Sequence, residues 1–266
     1  MRLRAVLAYD GGPFHGFAPN PGVRTVGGDL ADALSVCLRT PVEITCAGRT
    51  DKGVHARAQV VSFDVPASAI TSDLSLGELQ RSLNKMLGPA IAIREITRAH
   101  ESFSARFDAQ SRTYRYGIVN DAVANPFLAA TAWHYPQHLD VEAMNAAARH
   151  LLGTHDFASF CRLQHSRDGN EKSRVRHVLE AHWIQVQSNT SPIKDVNRFL
   201  QFEITASSFC QQMVRSITGT LTDIGTGRWP PDALASILAA KDRSKANNLA
   251  PPHGLCLWEV TYPLSP

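Results

Sequence analysis

The apolar positions of RLRAVLAY, residues 2–9, place Leu3, Ala5, Leu7 and Tyr9 on one side of an extended chain, which predicts a β-strand. A DGG turn follows it. TVGGDLADALSVCLR, residues 25–39, then carries its apolar positions at helical spacing, with Asp29 in the first turns. VEITCAG (42–48) and AQVVSFDV (58–65) read as strands. LSLGELQRSLNKML (74–87) reads as a helix with Leu76, Leu79, Leu83 and Leu87 in one stripe, and IAIREITRA (91–99) returns as a strand.

The same order then begins again. TYRYGIV (113–119) is a strand with Tyr114, Tyr116 and Ile118 on one face. DVEAMNAAARHLLG (140–153) is a helix, with Asp140 as its N-cap and Gly153 as its C-cap. VLEAHWIQV and RFLQFEIT are strands, and SFCQQMVRSITGTLTDIG (208–225) is a helix with Phe209, Met213, Ile217 and Leu221 on one face. DALASILAAK is a further helix, and LCLWEVTY (255–262) closes the chain as a strand. Strand, helix, strands, helix, strand, stated twice, predicts an α+β fold of two related halves with mostly antiparallel or mixed sheets. The linker falls near FSARFDAQSR, residues 103–112, dividing an N-terminal half, 1–108, from a C-terminal half, 109–266.

Bulk properties narrow the class. The 266 residues are 44% hydrophobic and 19% charged, which fits a globular chain of about two domains. No apolar stretch approaches the roughly 20 residues that span a bilayer, and the N-terminus lacks a signal-peptide pattern, so the expected location is cytoplasmic. The five cysteines are scattered, without C-x-x-C or zinc-like spacing, and are read as reduced, partly buried thiols. A net charge of +3 permits a nucleic-acid partner without requiring one. The most basic run, RLQHSRDGNEKSRVRH (162–177), reads first as a solvated loop.

Candidate chemistry concentrates in CAGRTDKGVHA, residues 46–56, between two strands. Gly48 and Gly53 suggest unusual backbone angles. Their G-x-x-x-x-G spacing lacks the Lys-Ser/Thr of a phosphate loop, since Val54-His55 follows. His55 has no Ser or Cys nucleophile setting around it. Asp51 stands between Arg49 and Lys52 in a glycine-bounded loop. The residues alone leave two readings open: a nucleophile or general base, or an Asx-turn closed by a local ion pair.

AGRTDKGVHA resembles the signature around the catalytic aspartate of the tRNA pseudouridine synthase A family. YDGGPFHGF, LNKMLGPAIAIR, FSARFDAQSRTYRYGI, LLGTHDFASF, FCQQMVRSITGTL and APPHGLCLWEVTYP resemble further family motifs in the same order, covering nearly the whole chain. The resemblance implies two α+β halves around a central, mostly antiparallel sheet, with the active cleft between them. It implies an isomerase that converts uridine to pseudouridine at positions 38 to 40 of the tRNA anticodon arm. Asp51 would be the catalyst, as nucleophile or base, and Arg49 would enter the RNA and steady the flipped nucleotide. Tyr114 would stack on the uracil, Arg215 would pair with Asp51, and Leu255 would wall the pocket. A homodimer, tRNA as partner and no metal or organic cofactor are implied as well. The other reading is an RNA-binding member of this lineage with weak, shifted or lost catalysis. The chain departs from the family pattern at Phe17 and Ala18, where Trp-Gln is usual, at Gly27 in place of a Gln, and at Gln212 where His is common.

Overall fold

The computed structural model describes residues 1–70, 73–164, 169, 171–186, 198–246 and 248–263. The middle of the basic run, 165–168 and 170, lies outside them. The chain divides into two compact units, residues 1–111 with 256–266, and residues 112–255. Both are mixed α+β with mostly antiparallel strands.

In the first unit, β1 (Arg2–Tyr9) lies between β3 (His55–Asp64) and β4 (Ile91–Arg98), antiparallel to both. β2 (Ile44–Cys46) pairs antiparallel with β3, and β10 (Leu255–Thr261) joins β3 in parallel through Cys256 and Leu257. Leu3, Ala5, Leu7 and Tyr9 are buried, as the alternation requires. Helix α1 (Val26–Leu38) starts at Thr25, whose hydroxyl accepts from Gly28 N. Helix α2 (Asp73–Leu87) buries Leu76, Leu79, Leu83 and Leu87.

In the second unit, β5 (Ser111–Val119) pairs antiparallel with β9 (Phe199–Ala206), β9 with β8 (Val175–Val186), and β8 with β7 (Gly153–Asp156). The short β6 (Trp133–His134) pairs parallel with β5. Asp140 caps α3 (Val141–Ala148), accepting from Glu142 N and Ala143 N. Helices α4 (Met213–Gly225) and α5 (Ala233–Ala240) complete the unit.

Expected boundaries move, most informatively at α3, α4 and β3. α3 ends at Ala148 and gives way to a 3-10 turn, so Gly153, with φ 92, opens β7 instead of capping a helix. α4 begins at Met213, because Gln212 sits in left-handed backbone at φ 66 and a helix cannot run through it, so Phe209 is not on its face. β3 begins three residues early, at His55, where β10 supplies a partner. The reading of five reduced thiols also fails for two of them. Cys161 and Cys210 form a disulfide, 49 residues apart in sequence, with their Cα atoms 5.7 Å apart, and such a pairing cannot be read from scattered cysteines.

One device recurs in both units. Asn84 of α2 grips both backbone groups of Ile93 on β4: its Oδ1 accepts from Ile93 N at 2.7 Å and its Nδ2 donates to Ile93 O at 3.0 Å. Asn145 of α3 does the same to Trp183 on β8, at the same two distances. In the first unit the grip meets the β1–β4 irregularity that skips Arg94, where Gln80 Nε2 also donates to Ile93 O and Arg94 O. Helix side chains here satisfy strand groups that the ladder leaves over. Asn84→Ala and Asn145→Ala should each lower the unfolding free energy by about 1–3 kcal/mol, by stranding a backbone donor and acceptor. Because the two sites share no partner, the double variant should come near the sum in urea titrations.

Candidate active site

The Asp51 loop runs from the end of β2 to the start of β3 and is held residue by residue. Ala47 N donates to Val60 O at 2.9 Å, and Gly48 O accepts from Gln59 Nε2 at 2.6 Å. Thr50 O accepts from Phe17 N at 3.1 Å, while the Thr50 hydroxyl bonds the Tyr9 phenol at 2.8 Å. Asp51 O accepts from Val54 N at 3.1 Å, closing a tight turn in which Gly53 takes φ 77. That left-handed angle at the third turn position asks for glycine. Gly48 has no such angle and open space where a Cβ would sit, so only Gly53 meets the expectation of unusual backbone. Arg49 is exposed and Asp51 half-buried. The loop thus presents an arginine and a carboxylate two residues apart on a backbone with little freedom.

The DGGPFHG turn braces this loop. Gly53 N donates to Phe14 O at 3.4 Å, and a Cβ on Gly11 would collide with the Val54 carbonyl. His55 is 8% exposed; its Nδ1 accepts from Gly11 N at 3.0 Å and lies 3.2 Å from Asp10 Oδ1. These contacts give the histidine of the motif a structural task, joining the first turn to β3.

Two of the departures from the family pattern, Phe17 and Gly27, lie beside this turn and close on one another. Phe17 is buried, with its ring 6.3 Å from that of Tyr9. Gly27 N donates to Phe17 O at 2.8 Å, and a Cβ on residue 27 would come within 2.6 Å of that oxygen. Glycine at 27 is what lets the first turn of α1 approach the Phe17 backbone.

The remaining predicted residues lie in the second unit. Tyr114, on β5, is 7% exposed and meets the edge of Phe209 at 5.0 Å between centroids, with rings at 85°. Arg215, half-buried in the first turn of α4, makes a reciprocal pair with Ala250: its Nε donates to Ala250 O at 2.7 Å, and Ala250 N donates to Arg215 O at 3.1 Å. Tyr116 O–H donates to Pro251 O at 2.8 Å. Burial pushes the Tyr116 phenol well above its ordinary range, with the Arg215 charge acting in the opposite direction. β5, α4 and residues 250–255 therefore converge, bringing Tyr114, Arg215 and the buried Leu255 into one part of the unit. Arg215 holds the chain segment that ends at Leu255, a task its exposed-looking sequence position did not suggest.

Sequence reasoning missed Tyr9, Thr50 and Gln59 beneath the loop. One signal was available: Gln59 shares the phase of Val61 and Phe63 in an apolar strand, and a polar residue there needs a buried partner. Among the described residues no group of three or more His, Cys, Asp or Glu side chains is placed to hold a metal ion.

Known proteins resemble this chain over its whole length. A family model described as tRNA pseudouridine synthase matches residues 147–263. The tRNA pseudouridine synthase A of Bacillus subtilis (strain 168) is 38% identical over 264 residues, 98% of this chain and 99% of that protein. Its counterpart in Frankia casuarinae is 41% identical over 268 residues, 100% of this chain and 91% of that one, and the Thermotoga sp. (strain RQ2) protein is 33% identical over 261. Identity at this level over nearly complete chains, together with the braced loop that carries Asp51, means that the chain belongs to the tRNA pseudouridine synthase A family.

Proposed function

We propose that this protein is a tRNA pseudouridine synthase, an isomerase acting on uridines 38 to 40 of the anticodon arm. The observation that carries the reading is the braced Arg49–Asp51 loop in a chain related end to end to proteins of that name. The reaction breaks the N1–C1′ bond, turns the freed uracil, and joins C5 to C1′, after which C5 gives up its hydrogen. The protein must take the base out of its stack, at a cost of a few kcal/mol. It must then hold the base while it turns and act on the sugar.

Each proposed residue answers one of those needs. Arg49, exposed beside the aspartate, enters the RNA and contacts phosphate. Asp51 acts on the sugar, as nucleophile at C1′ or base at C2′, from a position the loop does not let drift. Tyr114 offers the uracil an aromatic face, and stacking tolerates rotation because it does not depend on base-edge hydrogen bonds. Arg215 supplies a cation that pairs with Asp51, and Leu255 the apolar wall. The five residue roles, the homodimer and the position within tRNA rest on the resemblance. The chemistry calls on no metal or organic cofactor. Among the described residues no helix is long and apolar enough to cross a membrane. An RNA-binding protein without catalysis fits less well, because a pure binder has no need of a carboxylate fixed next to an arginine that grips phosphate.

Asp51→Asn should bind tRNA within threefold of wild type and lose more than about 10³-fold in activity, read as tritium release from tRNA labelled at C5 of uracil. Turnover within tenfold of wild type would remove Asp51 as the catalyst. Carbodiimide-stopped reverse transcription of treated tRNA should find new pseudouridines only at positions 38 to 40; stops confined to another arm would overturn the site assignment. Arg49→Ala should weaken tRNA binding and reduce the salt slope by about one. Arg215→Ala should leave the slope alone, lower kcat and shift the acid limb of the pH–rate profile upward, because removing a neighbouring cation raises a carboxylate pKa. Equal slopes and equal acid limbs in the two variants would mean that the arginines act as one patch.

A further inference from the structure

Beneath the loop lies a group of buried polar side chains that the reaction does not itself call for. Gln59, on β3, is 0% exposed; Tyr9, at the end of β1, is 5% exposed; Thr50, between Arg49 and Asp51, is 6% exposed. Gln59 Nε2 donates to Gly48 O at 2.6 Å and to the Tyr9 oxygen at 3.4 Å, and Gln59 Oε1 accepts from Val60 N at 3.2 Å. The Tyr9 phenol and the Thr50 hydroxyl are 2.8 Å apart.

These bonds form one connected chain. The Gln59 amide is oriented by Val60 N, which must meet an oxygen, and by Gly48 O, which must meet a hydrogen. Its second N–H then points at the Tyr9 oxygen. That oxygen accepts from Gln59 and is hydrogen-bonded to Thr50 Oγ1, where either hydroxyl can donate. Burial pushes the Tyr9 phenol far above its ordinary range, so it keeps its proton throughout any assay. The chain ends on the residue between Arg49 and Asp51, and its first member also grips the carbonyl of the residue before Arg49.

We infer that Tyr9, Thr50 and Gln59 are positioning residues for the reaction, a buried hydrogen-bond chain that sets the height and angle of Asp51 through the backbone on either side of Arg49. The inference rests on Asp51 being the catalytic carboxylate. The loop's backbone bonds, at Ala47, Thr50 O, Asp51 O and Gly53, define its path. The Tyr9–Thr50 bond adds a buried side-chain anchor at the same residue, Thr50. A displacement near 1 Å at a reacting group costs on the order of 100-fold in rate. The chain therefore acts on kcat and hardly on tRNA affinity, which depends on exposed cations.

The test measures single-turnover rate at saturating tRNA, tRNA affinity and melting temperature on Tyr9→Phe, Thr50→Val, Thr50→Ser and the double variant Tyr9→Phe/Thr50→Val. Tyr9→Phe and Thr50→Val should each slow the chemical step by about 10- to 100-fold, with tRNA affinity within threefold of wild type. Thr50→Ser keeps the hydroxyl and should stay within threefold of wild type in rate. The double variant should lose no more than the slower single variant, since both remove the same bond. Wild-type rates in Tyr9→Phe and Thr50→Val, or losses that multiply in the double variant, would overturn the inference; so would a Thr50→Ser as slow as Thr50→Val. If Tyr9→Phe does not fold, the Ser and Val variants at position 50 decide the matter alone. Asp51→Asn is assayed in parallel. An active Asp51→Asn sinks the catalytic reading beneath the inference. An inactive Asp51→Asn beside a fast Tyr9→Phe sinks only the positioning network.

Discussion

The bond from Gln59 Nε2 to the carbonyl of Gly48 ties the Asp51 loop to the interior of the first unit. An amide with no exposed surface cannot exchange its partners for water. Left without them it would cost about 1–3 kcal/mol, and the Tyr9 phenol and Thr50 hydroxyl are under the same constraint. The loop can move away only by stranding several buried polar groups at once. An exposed hairpin connection would ordinarily be among the least stable parts of a fold, open to local unfolding. Here its ordering is coupled to the packing of β1 and β3, and the stability of the sheet is transmitted to the position of a carboxylate.

The two units solve the same structural problem with the same side chain. In each, a helix lies against a strand whose backbone groups are not all used by the ladder, and an asparagine supplies both missing partners. An asparagine suits this because one short, planar group carries both an acceptor and a pair of donors. With that frame common to both, the units differ in what they display. The first holds out charged groups on a loop braced from a glycine-rich turn. The second gathers an aromatic ring, an arginine and an apolar strand start, using Arg215 and Tyr116 to fix residues 250–255.

How much of this could be read from the residues depends on the range of the interactions. Alternation placed β1 correctly, because Leu3 to Tyr9 fill one buried face, and Asp140 announced a helix start because its cap is made within three residues. The aspartate loop was conspicuous for its glycines and charges. The early start of β3 was not legible, since His55 extends the strand only by pairing with Cys256, two hundred residues away. Nor was the late start of α4: the apolar spacing runs back to Phe209, and only the left-handed Gln212 stops it. The Cys161–Cys210 pair and the Arg215–Ala250 pair join segments brought together by the fold as a whole. Gln59 was the intermediate case, a visible anomaly whose partners were not visible.

The departures in the first turn can be weighed by what each bond needs. Phe17 contributes to the loop through its backbone N–H, which donates to Thr50 O, and any residue but proline supplies that donor. Its side chain is buried in the core beside Tyr9. Gly27 removes bulk at the one point where α1 touches the Phe17 carbonyl, so the helix start and the turn can close together without a side chain between them. The residues that follow, Pro19 to Gly22, are exposed. Variation of the Phe17 side chain leaves the bond to Thr50 in place, because that bond is made by backbone atoms. The physical outlet of variation in this turn is the exposed surface beside the loop, where an RNA would meet different atoms while Asp51 stays where it is.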